Sequence, residues 1–151
     1  MEKQFEILKA NRILLLKTIT DLTLEQVNKI PEGFQNNIIW NMGHLVVVQQ
    51  LLNYKLSNLP MYINDDFVKK YAKGGVPKGD VLIDEFEMIK KYLLSLVDKL
   101  KDDYNSKKFK TYNSYLTSPN VNLITIEEAI QFNNFHEGIH LGSVLALKKL
   151  V

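Results

Sequence analysis

Apolar residues recur at helical spacing in four separate stretches of the chain, and polar or breaker-rich segments divide them. In the first stretch Phe5, Leu8, Leu15, Leu16 and Ile19 mark one stripe, thickened by Ile13 and Leu14, with Lys3, Glu6, Lys9 and Lys17 between. This predicts an amphipathic helix that ends near Asp21. Thr23-Leu24-Glu25-Gln26 has the form of a capping box, so one short helical turn is expected before Ile30-Pro31. Pro31-Glu32-Gly33 then breaks the chain.

A second helix is predicted from Asn36 or Asn37, either of which suits an N-cap. It runs through Ile38, Ile39, Trp40, Met42, Leu45, Val46, Leu51 and Leu52 to about Asn58, with Pro60 following. Leu45 to Val48 could pass for a strand. The length of the run, and Gly43 as its lone breaker, argue for a long buried helix instead. Residues 60–80 form a connection with Gly74-Gly75, Pro77 and Gly79, and a short helix is expected within Asp66 to Lys73. Asp80 is the expected cap of a third helix, whose face is Val81, Leu82, Phe86, Ile89, Leu93, Leu96 and Leu100.

A second long connection, 103–124, is rich in Lys, Asn, Ser and Tyr. Loops of that length in a compact domain are usually functional or disordered, and Tyr104, Phe109, Tyr112 and Tyr115 argue for partial packing. The fourth helix has the clearest start, since Thr125-Ile126-Glu127-Glu128 is a capping box. It continues to Lys148-Lys149, cations that suit the negative end of a helix dipole. Four helices with two long connections predict an all-α fold, a four-helix bundle forming one domain over residues 1–151.

Composition narrows the function. Hydrophobic content of 46% and charged content of 24% are those of an ordinary globular protein. The net charge of +2 is spread along the chain without a basic block, so nucleic acid is not an expected partner. Met1 to Arg12 lacks the features of a signal peptide, and no apolar run reaches the length that spans a bilayer. No membrane association and a cytoplasmic location are the expectation. There are no cysteines, which excludes disulfides and thiolate ligands, so a transition-metal site must use histidine and carboxylates.

The chain holds three histidines: His44 in the second helix, His136 and His140 in the fourth. Residues four apart stack on one helix face, and a pair of neutral imidazoles there suits zinc, nickel, copper or iron. At roughly 100° per residue, Ala129, Phe132, His136, His140, Ser143 and Leu147 share a stripe that should face the interior. Two solutions satisfy imidazoles there: a shared metal, or separate carbonyl and carboxylate partners. His44, beside Leu45, is also expected to face the core and favours the metal. Gly43, Gly138 and Gly142 flank the histidines and suggest close helix approach or room for a ligand.

His136-Glu137-Gly138-Ile139-His140 also spells the metalloprotease signature. A protease needs a third ligand downstream, however, and residues 141–151 contain no His, Glu or Asp. Glu137 is expected to be solvated rather than a base. Trp40 is expected in the core, with a place beside His44 as the alternative. Tyr62, Phe67 and Tyr71 form either a lid or ordinary packing.

Trp40-Asn41-Met42-Gly43-His44-Leu45 together with Phe135-His136-Glu137-Gly138-Ile139-His140-Leu141-Gly142 resembles the DinB/YfiT-like superfamily. The usual pattern there is W-x-x-x-H or G-H in the second helix and H-x-x-x-H-x-G-Q-I in the last. The resemblance covers essentially the whole chain. It departs at Gly142-Ser143-Val144, where Gly-Gln-Ile is usual, so a supporting contact from Gln is missing. The resemblance implies a dimeric four-helix bundle in which His44, His136 and His140 bind a divalent metal: zinc, nickel, iron or manganese. It also implies a small-molecule substrate and, as in some members, a low-molecular-weight thiol as cosubstrate in S-transfer or isomerisation. A metal-dependent hydrolase, with water in the thiol's place, stands as the alternative. So does a non-catalytic metal-binding or structural dimer.

Overall fold

The computed structural model describes residues 1–151. Four long helices carry the architecture: α1 (Glu2–Thr18), α3 (Ile38–Gln50), α5 (Ile83–Asn105) and α6 (Ile126–Leu147). Short helices α2 (Leu24–Asn28) and α4 (Asp65–Tyr71) lie in the connections. Helices α1 and α3 each pack against both α5 and α6.

Helix α3 is the centre. Every one of its residues except Val48 is buried, which is why its sequence lacks a polar face. Asn37 caps it, accepting a hydrogen bond from the Trp40 N–H at 2.8 Å. The helix does not run on to Asn58 as α-helix. From Leu51 to Lys55 it widens into a π-turn, a feature often found at functional sites. Both expected capping boxes are present, at Thr23 and Thr125.

Helix α5 starts later than Asp80 suggests. The Asn28 side chain accepts from the Val81 N–H at 2.8 Å and donates to the Val81 carbonyl at 3.0 Å. Val81 is thereby held outside the helix, Leu82 is extended backbone without a side-chain cap, the helix begins at Ile83, and Leu82 is left 74% exposed. The 103–124 connection is ordered. A two-residue antiparallel pair, β1 (Tyr115–Leu116) and β2 (Asn122–Leu123), closes a hairpin in it, with Tyr115 opposite Leu123. The Asn113 N–H donates to the Leu56 carbonyl at 2.7 Å, tying this segment to the end of the π-turn. Of its aromatics, Tyr104 packs on Phe5 and Phe109 on Tyr54, while Tyr115 is exposed.

The glycines divide. A Cβ on Gly43 would lie 2.5–2.7 Å from the Tyr71 ring, so α3 and α4 approach as closely as glycine allows. Gly138 and Gly142 face open space, so close packing does not explain them.

Candidate metal centre

The buried stripe of α6 runs through Ala129, Ile130, Asn133, Glu137, Val144 and Leu147. It shares Ala129 and Leu147 with the expected stripe but is turned by ~60° on the helical wheel, from Phe132, His136 and Ser143 towards Asn133, Glu137 and Val144. The physical reason is a buried ion pair. Arg12 is wholly buried on α1, and its Nη2 lies 2.6 Å from Glu137 Oε1. Arg12 Nε donates to both Glu137 oxygens at 3.0 and 3.1 Å, and Nη1 donates to Gln49 Oε1 and to the Leu93 carbonyl. Asn133 Nδ2 adds a fourth hydrogen bond to Glu137, at 3.0 Å. Glu137 is therefore neither solvated nor free to act as a base.

With Glu137 directed to the centre of the molecule, His136 and His140 fall on the flank of α6 facing α3. There they meet His44. Ring centroids are 4.5 Å apart for His136–His140, 4.7 Å for His44–His140 and 5.2 Å for His44–His136. One nitrogen from each ring lies within 4.8 Å of the others, a group that could hold a metal ion.

Two of the rings are oriented by their surroundings. His44 Nδ1 is 2.7 Å from the Tyr71 carbonyl. A carbonyl can only accept, so Nδ1 carries the proton and Nε2 keeps its lone pair. His140 Nδ1 is 2.7 Å from Asn41 Oδ1. The amide of Asn41 is fixed in turn, since its Nδ2 donates to the Asn37 carbonyl and to Asn36 Oδ1. His140 is thus the Nδ1–H tautomer as well. Such backing of ligand histidines is the usual support of metal sites. Nδ1 of His136 is buried without a hydrogen-bond partner, and a metal bound at that nitrogen would supply one.

All three rings are disposed to be neutral. Burial lowers the His44 pKa. Burial, then the neighbouring His140 and His44, pushes His136 down to about 3. Burial, then His44, pushes His140 down to about 4. Neutral imidazole is the form that binds metal.

The model of the DinB superfamily matches residues 7–144. The chain belongs to the DinB superfamily. Among solved structures, it is similar to a crystal structure described as a conserved protein of locus from Enterococcus faecalis. That match has a TM-score of 0.68 at 16% identity and covers 99% of this chain and 95% of that one. At such identity the likeness concerns the fold alone. A search of curated proteins finds no match.

In this DinB-superfamily chain Trp40 serves both expected roles. It belongs to the core, and its ring stacks on His44 with centroids 4.7 Å apart and planes 13° from parallel. Of the two alternatives for Tyr62, Phe67 and Tyr71, the structure shows packing. Phe67 and Tyr71 are buried together, Tyr71 donating its hydroxyl to Glu85 at 2.6 Å, and Tyr62 donates to Asp103. The contribution of Tyr71 is its main-chain carbonyl, which no sequence pattern reveals. Sequence reasoning missed Arg12, although its place in the gap of the Leu8–Leu15–Ile19 stripe, a buried position for a charged residue, is a signal for it.

A cavity of about 360 Å³ adjoins the histidines, with His44 and His136 in its wall. Leu51, Leu52, Lys55 and Leu56 of and beside the π-turn line one side, and Tyr115, Thr117, Ser118 and Pro119 of the hairpin contribute to another. No helix in the molecule is long and apolar enough to cross a membrane.

Proposed function

We propose that this DinB-superfamily protein is a metal-dependent enzyme on a four-helix bundle, acting on a small molecule by thiol-dependent transfer. The observation that carries the reading is the trio of neutral histidines, two held in the Nδ1–H tautomer and one orphaned, at the edge of a cavity of ligand size. His44, His136 and His140 are the metal ligands. Three ligands leave a coordination position open, as in catalytic rather than structural sites. A divalent ion held there supplies Lewis acidity and lowers the pKa of a thiol or water.

The chain's own residues do the rest. The Tyr71 carbonyl and Asn41 aim His44 and His140, and the Arg12–Glu137 pair sets the rotation of α6 that presents His136 and His140. The apolar cavity wall excludes water around the reactants. The thiol comes from solution, because the chain has no cysteine.

Metal content by mass spectrometry, on protein without a histidine tag, tests the centre. Near-stoichiometric divalent metal is expected in the wild type and its loss in His44→Ala. Protein that neither carries metal nor takes up zinc, nickel or manganese would sink the enzyme reading. On cobalt-substituted protein, added small thiols should perturb the visible spectrum. A spectrum indifferent to thiols replaces transfer with hydrolysis.

A further inference from the structure

The cavity beside His44 and His136 is one-sided in its chemistry. Val48, Leu52, Phe132 and Ile139 make it largely apolar. Histidines apart, its charged lining residues are Lys55 and Lys73, and no Asp or Glu lines it. In a chain with 17 acids against 19 basic residues, a cavity without a carboxylate is a local bias. Neither lysine takes part in any ion pair of the molecule. Both lysines are exposed at the cavity mouth, and Lys73 Nζ donates to the neutral Ser118 Oγ at 2.8 Å, which holds its ammonium at the hairpin wall.

That wall is built rather than draped. The Asn113–Leu56 main-chain bond anchors the segment, and Asn113 Nδ2 donates to Asn58 Oδ1 at 2.9 Å. Within the hairpin, Thr117 Oγ1 accepts from the Val121 N–H at 3.0 Å and donates to the Val121 carbonyl at 2.8 Å.

We infer that the cavity takes a small molecule with an apolar body and one anionic group, a carboxylate or sulfonate. The body lies between Val48 and Phe132 beside the histidines, and the anion is bound by Lys55 and Lys73. Binding pockets combine a mostly apolar lining with a few polar groups that fix orientation, and this volume lies in their usual range. A cationic ligand would meet two ammonium groups and no carboxylate. A neutral apolar ligand would leave both charges unused. As a statement about substrate, the inference rests on the three histidines being the metal centre.

A matched pair of fluorescent dyes tests it: 8-anilinonaphthalene-1-sulfonate and its uncharged parent, N-phenyl-1-naphthylamine. Both are titrated at low salt into wild type, Lys55→Gln/Lys73→Gln and Val48→Phe, metal-free and zinc-loaded. The wild type should bind one sulfonate dye per chain, about tenfold or more tighter than the parent. The double lysine variant should lose that preference while keeping its affinity for the parent. Val48→Phe should weaken both dyes, and octanoate should displace the sulfonate far better than octan-1-ol. Equal affinity for the two dyes, a preference that survives the lysine substitutions, or binding untouched by Val48→Phe would each overturn the inference.

Metal content on the same preparations reports separately on the histidines. Dye preference without metal uptake removes the catalytic reading and leaves the anion-binding cavity. Metal uptake without dye preference does the reverse.

Discussion

Glu137 shows how much one residue can decide. Read in sequence it belongs to a metalloprotease signature; in the structure it is the partner of a wholly buried arginine. Removing one member of a buried pair leaves an uncompensated charge, at a cost of about 3–5 kcal/mol. Glu137→Gln should therefore lower unfolding stability by that order in urea titrations. Arg12→Met/Glu137→Leu should recover much of the loss, because replacing both members with apolar groups removes the stranded charge. A double variant no more stable than Glu137→Gln would show that the hydrogen bonds to Gln49, Asn133 and Leu93, rather than the charge pair, hold this centre.

At the scale of elements, the approach of α4 to α3 is what couples packing to the histidines. Gly43 lets the Tyr71 ring lie against α3, and the carbonyl of the same tyrosine orients His44. The Tyr71 ring is buried and tied through its hydroxyl to Glu85, so it cannot swing away. Gly43→Ala is expected to destabilise the fold by about 1–3 kcal/mol, the usual cost of overpacking, and to weaken metal binding as well. Gly142→Ala, facing open space, should do neither and should stabilise slightly through helix propensity. Thermal melts and zinc titrations of the two variants check the contrast.

For the whole molecule, one buried and two half-buried imidazoles make stability depend on acid. Without metal, burial and the neighbouring rings push His136 down to about 3 and His140 down to about 4, whereas an unfolded histidine titrates near 6.5. Between those values unfolding takes up protons. Stability is thus fully present above about pH 6.5 and falls as pH drops towards the folded pKa values. The metal-free protein should show a melting temperature that declines from pH 7 to pH 4, and His136→Phe should flatten that decline. Metal bound to the folded state should raise the melting temperature at neutral pH, with the gain lost on acidification as protons compete for the ligands.

The sequence by itself determined the helices, both capping boxes, the buried character of α3 and the short helix in the first long connection. These follow from local spacing and cap chemistry, which act over a few residues. It also singled out His44, His136 and His140, because chemistry-bearing residues are rare enough in this chain to stand out. Tertiary structure alone decided the rotation of α6, since that depends on Arg12 reaching Glu137 across 125 positions of sequence. It decided the tautomers of His44 and His140, which rest on a main-chain carbonyl and on an amide whose orientation two further bonds dictate. It delayed the start of α5 through Asn28, and it laid the hairpin beside the histidines to close a cavity with two lysines at its mouth. Each of these is a contact between residues distant in the chain, and periodicity carries no record of which distant residue a side chain will meet.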